Sequence, residues 1–299
     1  MMNLIDNRVL VLGAGGQLGH MLVRILKEDF EVFGTTRGST STDQPLTNFI
    51  DEKMWIPDLD VTNLADLEKV ITELRPEAVI NCVGIVKQRH EMGADPVSYW
   101  VNAVLPHEIS KLVTASGGRF IHFSTDCVFS GKDGNYSETD APDPTDDYGS
   151  SKHEGEVTNT NSLTLRTSHI GPELTTHQGL YDWVLRSRGM SVSGFTNAIF
   201  SGFTTLELSI IVKQIITNHQ SLHGIFQVAS EPISKYELIR QLNVALNLGI
   251  DVIPNGSFHC DRSLNGSRFK DATGIRIPSW PEMIEALAQD QGAYAGVGA

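Results

Sequence analysis

The chain has 299 residues, 40% of them hydrophobic, enough to enclose a sizeable core as one large domain or two lobes. Its 36 acidic against 23 basic residues give a formal charge of −13, which argues against nonspecific binding to nucleic acid or acidic membranes; an anionic ligand needs a local cluster of cations. Cys82, Cys127 and Cys260 are odd in number and far apart, so they read as reduced thiols of a cytoplasmic protein, without structural zinc.

In chain order, Arg8 to Leu12 is a short apolar run that enters a glycine-rich turn, Gly13-Ala-Gly-Gly-Gln-Leu-Gly19. Helical spacing from Leu18 to Leu26 and a return strand, Glu31 to Thr35, complete a βαβ unit. The pattern continues with a helix near Asn63 to Leu74, a strand at Ala78 to Asn81, a helix near Ser98 to Ala115 and a strand at Arg119 to Ser124. Such alternation predicts an α/β Rossmann fold, a doubly wound parallel sheet with helices on both faces. A further strand spans Ser162 to Thr167, after which 168–204 and 247–280 are rich in Gly, Ser, Asn and Pro. Helices are expected over Leu206 to Ile216 and Ile233 to Leu246, the latter opened by a capping box at Ser234 and Glu237.

The expected organisation is a dinucleotide-binding domain over 1–167, a smaller α/β substrate lobe over 168–290 interleaved with the last sheet strands, and a flexible tail over 291–299. The N-terminus has no secretory pattern, and no apolar run approaches the roughly 20 residues of a membrane span, so a soluble, untargeted protein without membrane partners is expected.

The glycine turn lies between a strand and a helix, where glycines at 13, 16 and 19 permit a tight turn, close approach to a pyrophosphate and helix–strand packing. Candidate cofactor contacts there are Gly13, Gly15, Gly16, Gln17, Leu18 and Gly19. The second strand ends Gly34-Thr-Thr-Arg-Gly-Ser39, so Thr36 and Arg37 suit the 2′-phosphate of NADPH better than an acid suited to NADH would, with NADH still open. Asp60 and Val61 are placed at the adenine. Asn81, Cys82, Val83 and Gly84 are placed at the middle of the cofactor, and Asn102 and Ser124 complete this set.

Tyr148 and Lys152, at helical i and i+4, share one face, so that the ammonium lowers the pKa of the phenol while the hydroxyl faces a substrate carbonyl. In a hydride transfer Tyr148 donates the proton. Lys152 stabilises the phenolate and bonds the nicotinamide ribose, and Thr125, with Ser124, orients the carbonyl.

The glycine turn, the Ser124-Thr-Asp strand end and the Tyr-x-x-x-Lys helix, in this order, resemble the extended short-chain dehydrogenase/reductase family. Within it, Ser124-Thr-Asp-Cys-Val-Phe-Ser-Gly131, Tyr136-Ser-Glu-Thr-Asp140, Pro144 and Tyr148-Gly-Ser-Ser-Lys152-His-Glu-Gly-Glu156 resemble the dTDP-4-dehydrorhamnose reductases and related nucleotide-sugar 4-ketoreductases. The resemblance covers most of the first 170 residues. It implies NADPH-dependent reduction of the 4-keto group of a nucleotide-linked 4-keto-6-deoxyhexose in deoxysugar or polysaccharide synthesis, with catalytic roles on Thr125, Tyr148 and Lys152. A homodimer is expected by the same analogy. Cys127 stands where the family usually has Tyr, and the loop before Tyr148 is slightly shorter, which leaves the sugar open.

For the substrate, Asp126, Val128 and Phe129 follow the catalytic strand, and Arg262, Asn265 and Arg268 with Lys270 offer cations and hydrogen bonds to a diphosphate. Thr204, before a predicted helix, lines the expected substrate mouth. Lys87, with Arg89 and His90, follows the strand that carries Asn81. His219 and His223 have ligand spacing but no third ligand, so no metal site is assigned. Two alternatives stay open: a nucleotide-sugar epimerase of the same superfamily, and a non-catalytic dinucleotide-binding regulatory subunit of the kind that accompanies methionine adenosyltransferase. A dehydratase is disfavoured, because Cys127 replaces the acid that elimination uses.

Overall fold

The computed structural model describes residues 7–38, 45–85 and 96–294. Strand β1 (Arg8–Leu12), helix α1 (Gly19–Leu26) and strand β2 (Glu31–Thr35) form the first unit. After them come β3 (Trp55–Ile56), α2 (Leu64–Leu74) and β4 (Ala78–Asn81). A helical stretch follows, made of α3 (Pro96–Tyr99), a π-helical turn at Trp100–Val104 and α4 (Leu105–Ala115). It leads into β5 (Arg119–Thr125), α5 (Asp147–Glu154) and β6 (Ser162–Thr167).

Beyond β6 the elements are β7 (His169–Ile170), α6 (Leu180–Arg186), β8 (Ser191–Phe200), β9 (Phe203–Thr204), α7 (Thr205–Asn218) and β10 (Gly224–Gln227). The chain continues through β11 (Ile233–Ser234), α8 (Lys235–Ala245), β12 (Asp251–Asp261), α9 (Ser267–Thr273) and α10 (Trp280–Gln289).

Seven parallel strands make the main sheet in the order β10-β6-β5-β4-β1-β2-β3. Because side chains alternate along a strand, β1 sends Val9 and Val11 into one core and Leu10 and Leu12 into the other. The order reverses between β1 and β4, so the crevice at the carboxyl ends of these two strands is where a sheet of this kind takes its ligand.

The Gly- and Ser-rich stretches hold more regular structure than their composition suggests. β8 and β12 are long strands that pair in parallel, with an irregularity between Asn255 and His259, and β11 adds an antiparallel edge. Their pattern escapes notice because two of the inward positions of β8 are the small residues Gly194 and Ala198 rather than large apolar ones. A Cβ on Gly194 would meet the α8 backbone at Tyr236 at 2.9 Å, so the small residue allows α8 to pack closely on the sheet.

One further expectation is corrected, and the first residues of the tail are placed. Ser234 does cap α8, with its hydroxyl accepting from the Glu237 N–H at 3.1 Å, but the Glu237 carboxylate bonds Arg240 and Gln241 instead of reaching back. The reciprocal box forms at Ser279 and Glu282, at the head of α10. The start of the presumed flexible tail is a 3-10 turn, Asp290–Tyr294. There Tyr294 packs against Phe49 and hydrogen-bonds His20 at 2.9 Å, while Asp290 pairs with Arg24, so an aromatic anchor and an ion pair fix it to α1. Among the described residues no helix is long and apolar enough to cross a membrane, and no group of three His, Cys, Asp or Glu is placed to hold a metal ion.

Candidate active site

The glycine turn sits at the head of the sheet. Gly13 has φ +78°, and a Cβ on Gly19 would lie 2.2 Å from the Gly13 carbonyl oxygen, so α1 can begin this close to β1 only with glycine there. The Ala14 N–H bonds the Thr35 carbonyl at 2.9 Å and ties the turn to β2. The space left by these glycines is a backbone cradle suited to a pyrophosphate, with the start of α1 behind it. Two of the candidate contacts are occupied: Leu18 is buried, and the Gln17 amide donates to the Gly171 carbonyl at 2.8 Å, bracing the turn against β7.

At the end of β2, Thr36 is buried and its hydroxyl is used within the fold, accepting from the Trp55 indole at 3.0 Å and donating to the Gly38 carbonyl at 3.2 Å. Arg37 stands exposed beside it. Asp60 is also exposed; hydrogen bonds from the Thr62 N–H and hydroxyl, with the charge of Arg37, hold its carboxyl below the usual range. Val61 is buried. Among the described residues at this edge, Arg37 is thus an exposed cation that an anion can reach.

At the end of β4 two asparagines shape the wall rather than face the crevice. Asn81 is 1% exposed, accepts the Val83 N–H at 3.0 Å and turns its amide nitrogen to His122 Nδ1 at 3.2 Å. Asn102, inside the π-helical turn, clamps the Ile85 N–H at 2.9 Å and the Ile85 carbonyl at 3.0 Å. Cys82 and Val83 are half-buried and Gly84 is exposed; burial pushes the Cys82 thiol up.

The residues expected to be catalytic lie where β5 ends and along α5. Asp146 caps α5 through the Gly149 N–H at 2.8 Å, and Gly149 packs so tightly that a Cβ would lie 2.2 Å from the Cys127 carbonyl oxygen. This brings Tyr148 to the Thr125 side chain, whose hydrogen bond lowers the phenol pKa, while burial, the largest influence, raises it. Lys152 is 5% exposed and donates to the Phe123 carbonyl at 2.7 Å, with burial lowering its pKa to about 8. Ser124 departs from its expected cofactor role: it gives its hydroxyl to Glu156 at 2.7 Å because the buried Glu156–Arg166 pair lies directly beneath it.

On the substrate side, the Arg262 guanidinium bonds the Phe129 carbonyl at 2.9 Å and the Cys127 sulfur at 3.2 Å. Asp126 and Cys260 also act on it electrostatically, and burial with Asp126 beside it drives the Cys127 thiol up to about 12. Lys235, which the sequence reading missed, feels Asp126, Cys127 and Cys260 and lies 4.0 Å from the centroid of the Phe200 ring. Its signal was available. As the first residue of α8 it sets a cation at the positive end of a helix dipole, an unfavourable place unless an anion or function compensates.

Several substrate candidates are placed elsewhere. Val128 and Phe129 are fully buried in a satellite core, with Phe129 stacked on Tyr136 at 4.2 Å, because both are apolar and the turn folds inward. Thr204 is fully buried and caps α7 through the Glu207 N–H at 3.2 Å. Asn265 accepts from the Ser267 N–H at 3.0 Å at the start of α9. Arg268 reaches the Ile225 carbonyl at 2.9 Å and covers Phe226, on edge strand β10. Lys87, Arg89 and His90 lie outside the described residues.

A glycine cradle at the switch point of a parallel sheet, with a Tyr–Lys helix brought against a hydroxyl-bearing strand end, defines an enzyme of the extended short-chain dehydrogenase/reductase class. More narrowly, the chain belongs to the RmlD substrate binding domain family, whose model matches residues 7–173. It is 27% identical over 244 residues to a dTDP-4-dehydrorhamnose reductase of Aggregatibacter actinomycetemcomitans, covering 77% of this chain and 76% of that one. It is also 31% identical over 314 residues to methionine adenosyltransferase 2 subunit beta of Danio rerio, covering 92% and 90%. Among solved structures, the NADP complex of a dTDP-4-dehydrorhamnose reductase from Bacillus anthracis superposes with a TM-score of 0.76 at 24% identity, over 95% of this chain and 99% of that one.

Proposed function

We propose that this protein reduces the 4-keto group of a nucleotide-linked 4-keto-6-deoxyhexose with NADPH. The observation that carries the reading is the meeting of Tyr148 with the Thr125 side chain at one desolvated point, on the helix that also carries the buried Lys152. A phenol there gives its proton to an oxygen that has just gained negative charge, and Thr125 holds that oxygen in line. The charge of Lys152 stabilises the phenolate left behind. The glycine cradle and Arg37 would hold NADPH, which supplies the hydride.

The diphosphate of the substrate is assigned to Arg262 and Lys235, two cations converging on the turn after Thr125. Neither has a carboxylate partner within ion-pair distance among the described residues, which leaves charge for an anionic ligand. The dinucleotide domain is proposed over 1–167 with the substrate lobe after it, β10 and α7 returning from that lobe to the sheet and to α1. A cytoplasmic setting, in keeping with three free thiols, is part of the proposal.

Purified protein, NADPH and a panel of nucleotide 4-keto-6-deoxysugars test it through loss of the absorbance of the reduced cofactor. Turnover with at least one of them is expected; no turnover with any sinks the reading. The match to the methionine adenosyltransferase beta subunit along 92% of the chain favours a second reading, a dinucleotide-binding regulatory subunit. Under that reading NADPH binds without turnover, and the protein forms a stable complex with a methionine adenosyltransferase catalytic subunit.

A further inference from the structure

His122, in the middle of β5, is 1% exposed, and the proton-transfer scheme gives it no part. It lies between two residues of the site: its Nδ1 is 3.2 Å from Asn81 Nδ2, and its Nε2 is 3.4 Å from Lys152 Nζ. The orientation of the Asn81 amide is fixed, because its oxygen accepts the Val83 N–H at 3.0 Å. The amide nitrogen can only donate, so His122 Nδ1 must accept, and the single proton of a neutral imidazole resides on Nε2. Burial keeps the ring neutral, with Lys152 and His107 pushing in the same direction.

An Nε2–H facing an ammonium sets donor against donor. Facing a neutral amine, the same N–H donates to the nitrogen lone pair, and the amine still donates to the Phe123 carbonyl at 2.7 Å. We propose that His122, locked by Asn81 in its Nε2-protonated form, is a positioning residue that weakens the ammonium form of Lys152 and thereby sets the alkaline limit of the reduction. The remaining ionisable groups around Nζ are few: Glu156, beyond the end of α5, and Cys82, at the exit of β4, both favour the charged form, while burial opposes it. The inference rests on the reductase reading for its catalytic consequence but not for its chemistry.

The test is nuclear magnetic resonance of 15N-histidine- and 13C-lysine-labelled protein without added ligand, alongside the pH dependence of kcat/KM. His122 is expected to carry its proton on Nε2 at neutral pH; a proton on Nδ1, or on both nitrogens, overturns the proposal. Asn81→Asp keeps the acceptor for the Val83 N–H while presenting a carboxylate to Nδ1. This draws the proton to Nδ1 and turns the Nε2 lone pair toward Lys152. In that variant both the Lys152 titration and the alkaline limb of kcat/KM move up by about one pH unit or more. An unmoved Lys152 titration in a folded Asn81→Asp protein refutes the proposal; if the variant does not fold, the tautomer in the unaltered chain decides. Should the substrate panel give no turnover, the resonance measurements still decide the role of His122, so the two failures are told apart.

Discussion

Glu156 and Arg166 form a buried two-point ion pair, Nε to Oε1 and Nη2 to Oε2, each at 2.7 Å, joining the segment just past α5 to β6. Ser124 adds a third bond to the same carboxylate, and Arg166 holds it below the ordinary range against the opposing effect of burial. The helix that carries Tyr148 and Lys152 is thus tied to the sheet immediately beyond its last turn. Removing one partner leaves a buried charge unmatched, so Arg166→Met is expected to cost about 3–5 kcal/mol in urea unfolding. The double variant Glu156→Leu/Arg166→Met should lose clearly less than the two single losses combined. Simple additivity of the two would mean that the pair is not coupled.

Tyr148→Phe removes the proton donor and leaves the ring in place. Turnover should fall by about 10²- to 10⁴-fold, with the NADPH dissociation constant changed less than about twofold. Activity within tenfold of the parent would take the acid role away from Tyr148.

Arg37→Ala should weaken NADPH by about tenfold and leave NADH nearly unaffected, since one charge-assisted contact to the 2′-phosphate is lost. Titration with both cofactors measures the ratio. Equal weakening would mean that the phosphate is read elsewhere.

Much of this was legible in the sequence. The strands of the first half are continuous apolar runs and its turn is marked by spaced glycines, so the Rossmann layering was readable from local pattern. Tyr148, Lys152 and Thr125 stand on the expected helix and strand end, but the expected lowering of the phenol pKa by Lys152 does not arise, because burial raises it. Thr36, Asn81, Asn102 and Ser124 were located at the right strand and helix positions, but their partners Trp55, His122, Ile85 and Glu156 come from other elements and cannot be read from spacing. Whether a hydroxyl or amide faces a ligand or braces the wall depends on those partners. The same holds for Thr204, where one side chain serves equally as a helix cap or as a pocket group until the fold selects.

Replacing Arg262 or Lys235 with Ala should raise KM for the nucleotide sugar by about tenfold each, without altering NADPH binding. If only the NADPH dissociation constant moved, the diphosphate assignment would be wrong.

Acid should destabilise the protein in two stages. Burial drives His20 and His169 from 6.5 down to about 4. The unfolded chain therefore takes up these protons first, and stability that is full above pH 6.5 drains away as the pH falls toward 4, by about 2–3 kcal/mol per histidine. Glu156, whose folded value is depressed, adds a second loss as the pH drops below its unfolded value near 4.5. Lys152 acts at the other end: with a folded value of about 8 against 10.5, it makes stability rise with pH across that interval. Thermal melts from pH 4 to 9, below the range where ionisation of the unfolded Cys82 and Cys127 thiols opposes the Lys152 gain, should show both slopes, and His20→Gln should flatten the acid one.

The outermost strand next to β6 is β10, supplied from residues 224–227, well after the family match ends at residue 173. Until that strand emerges from the ribosome, Leu163 to Arg166 present bare backbone donors and acceptors along an apolar edge, a template for pairing with other chains. A fragment cut at the end of the family match would keep that exposed edge permanently. Such a fragment should aggregate where the longer chain remains dispersed.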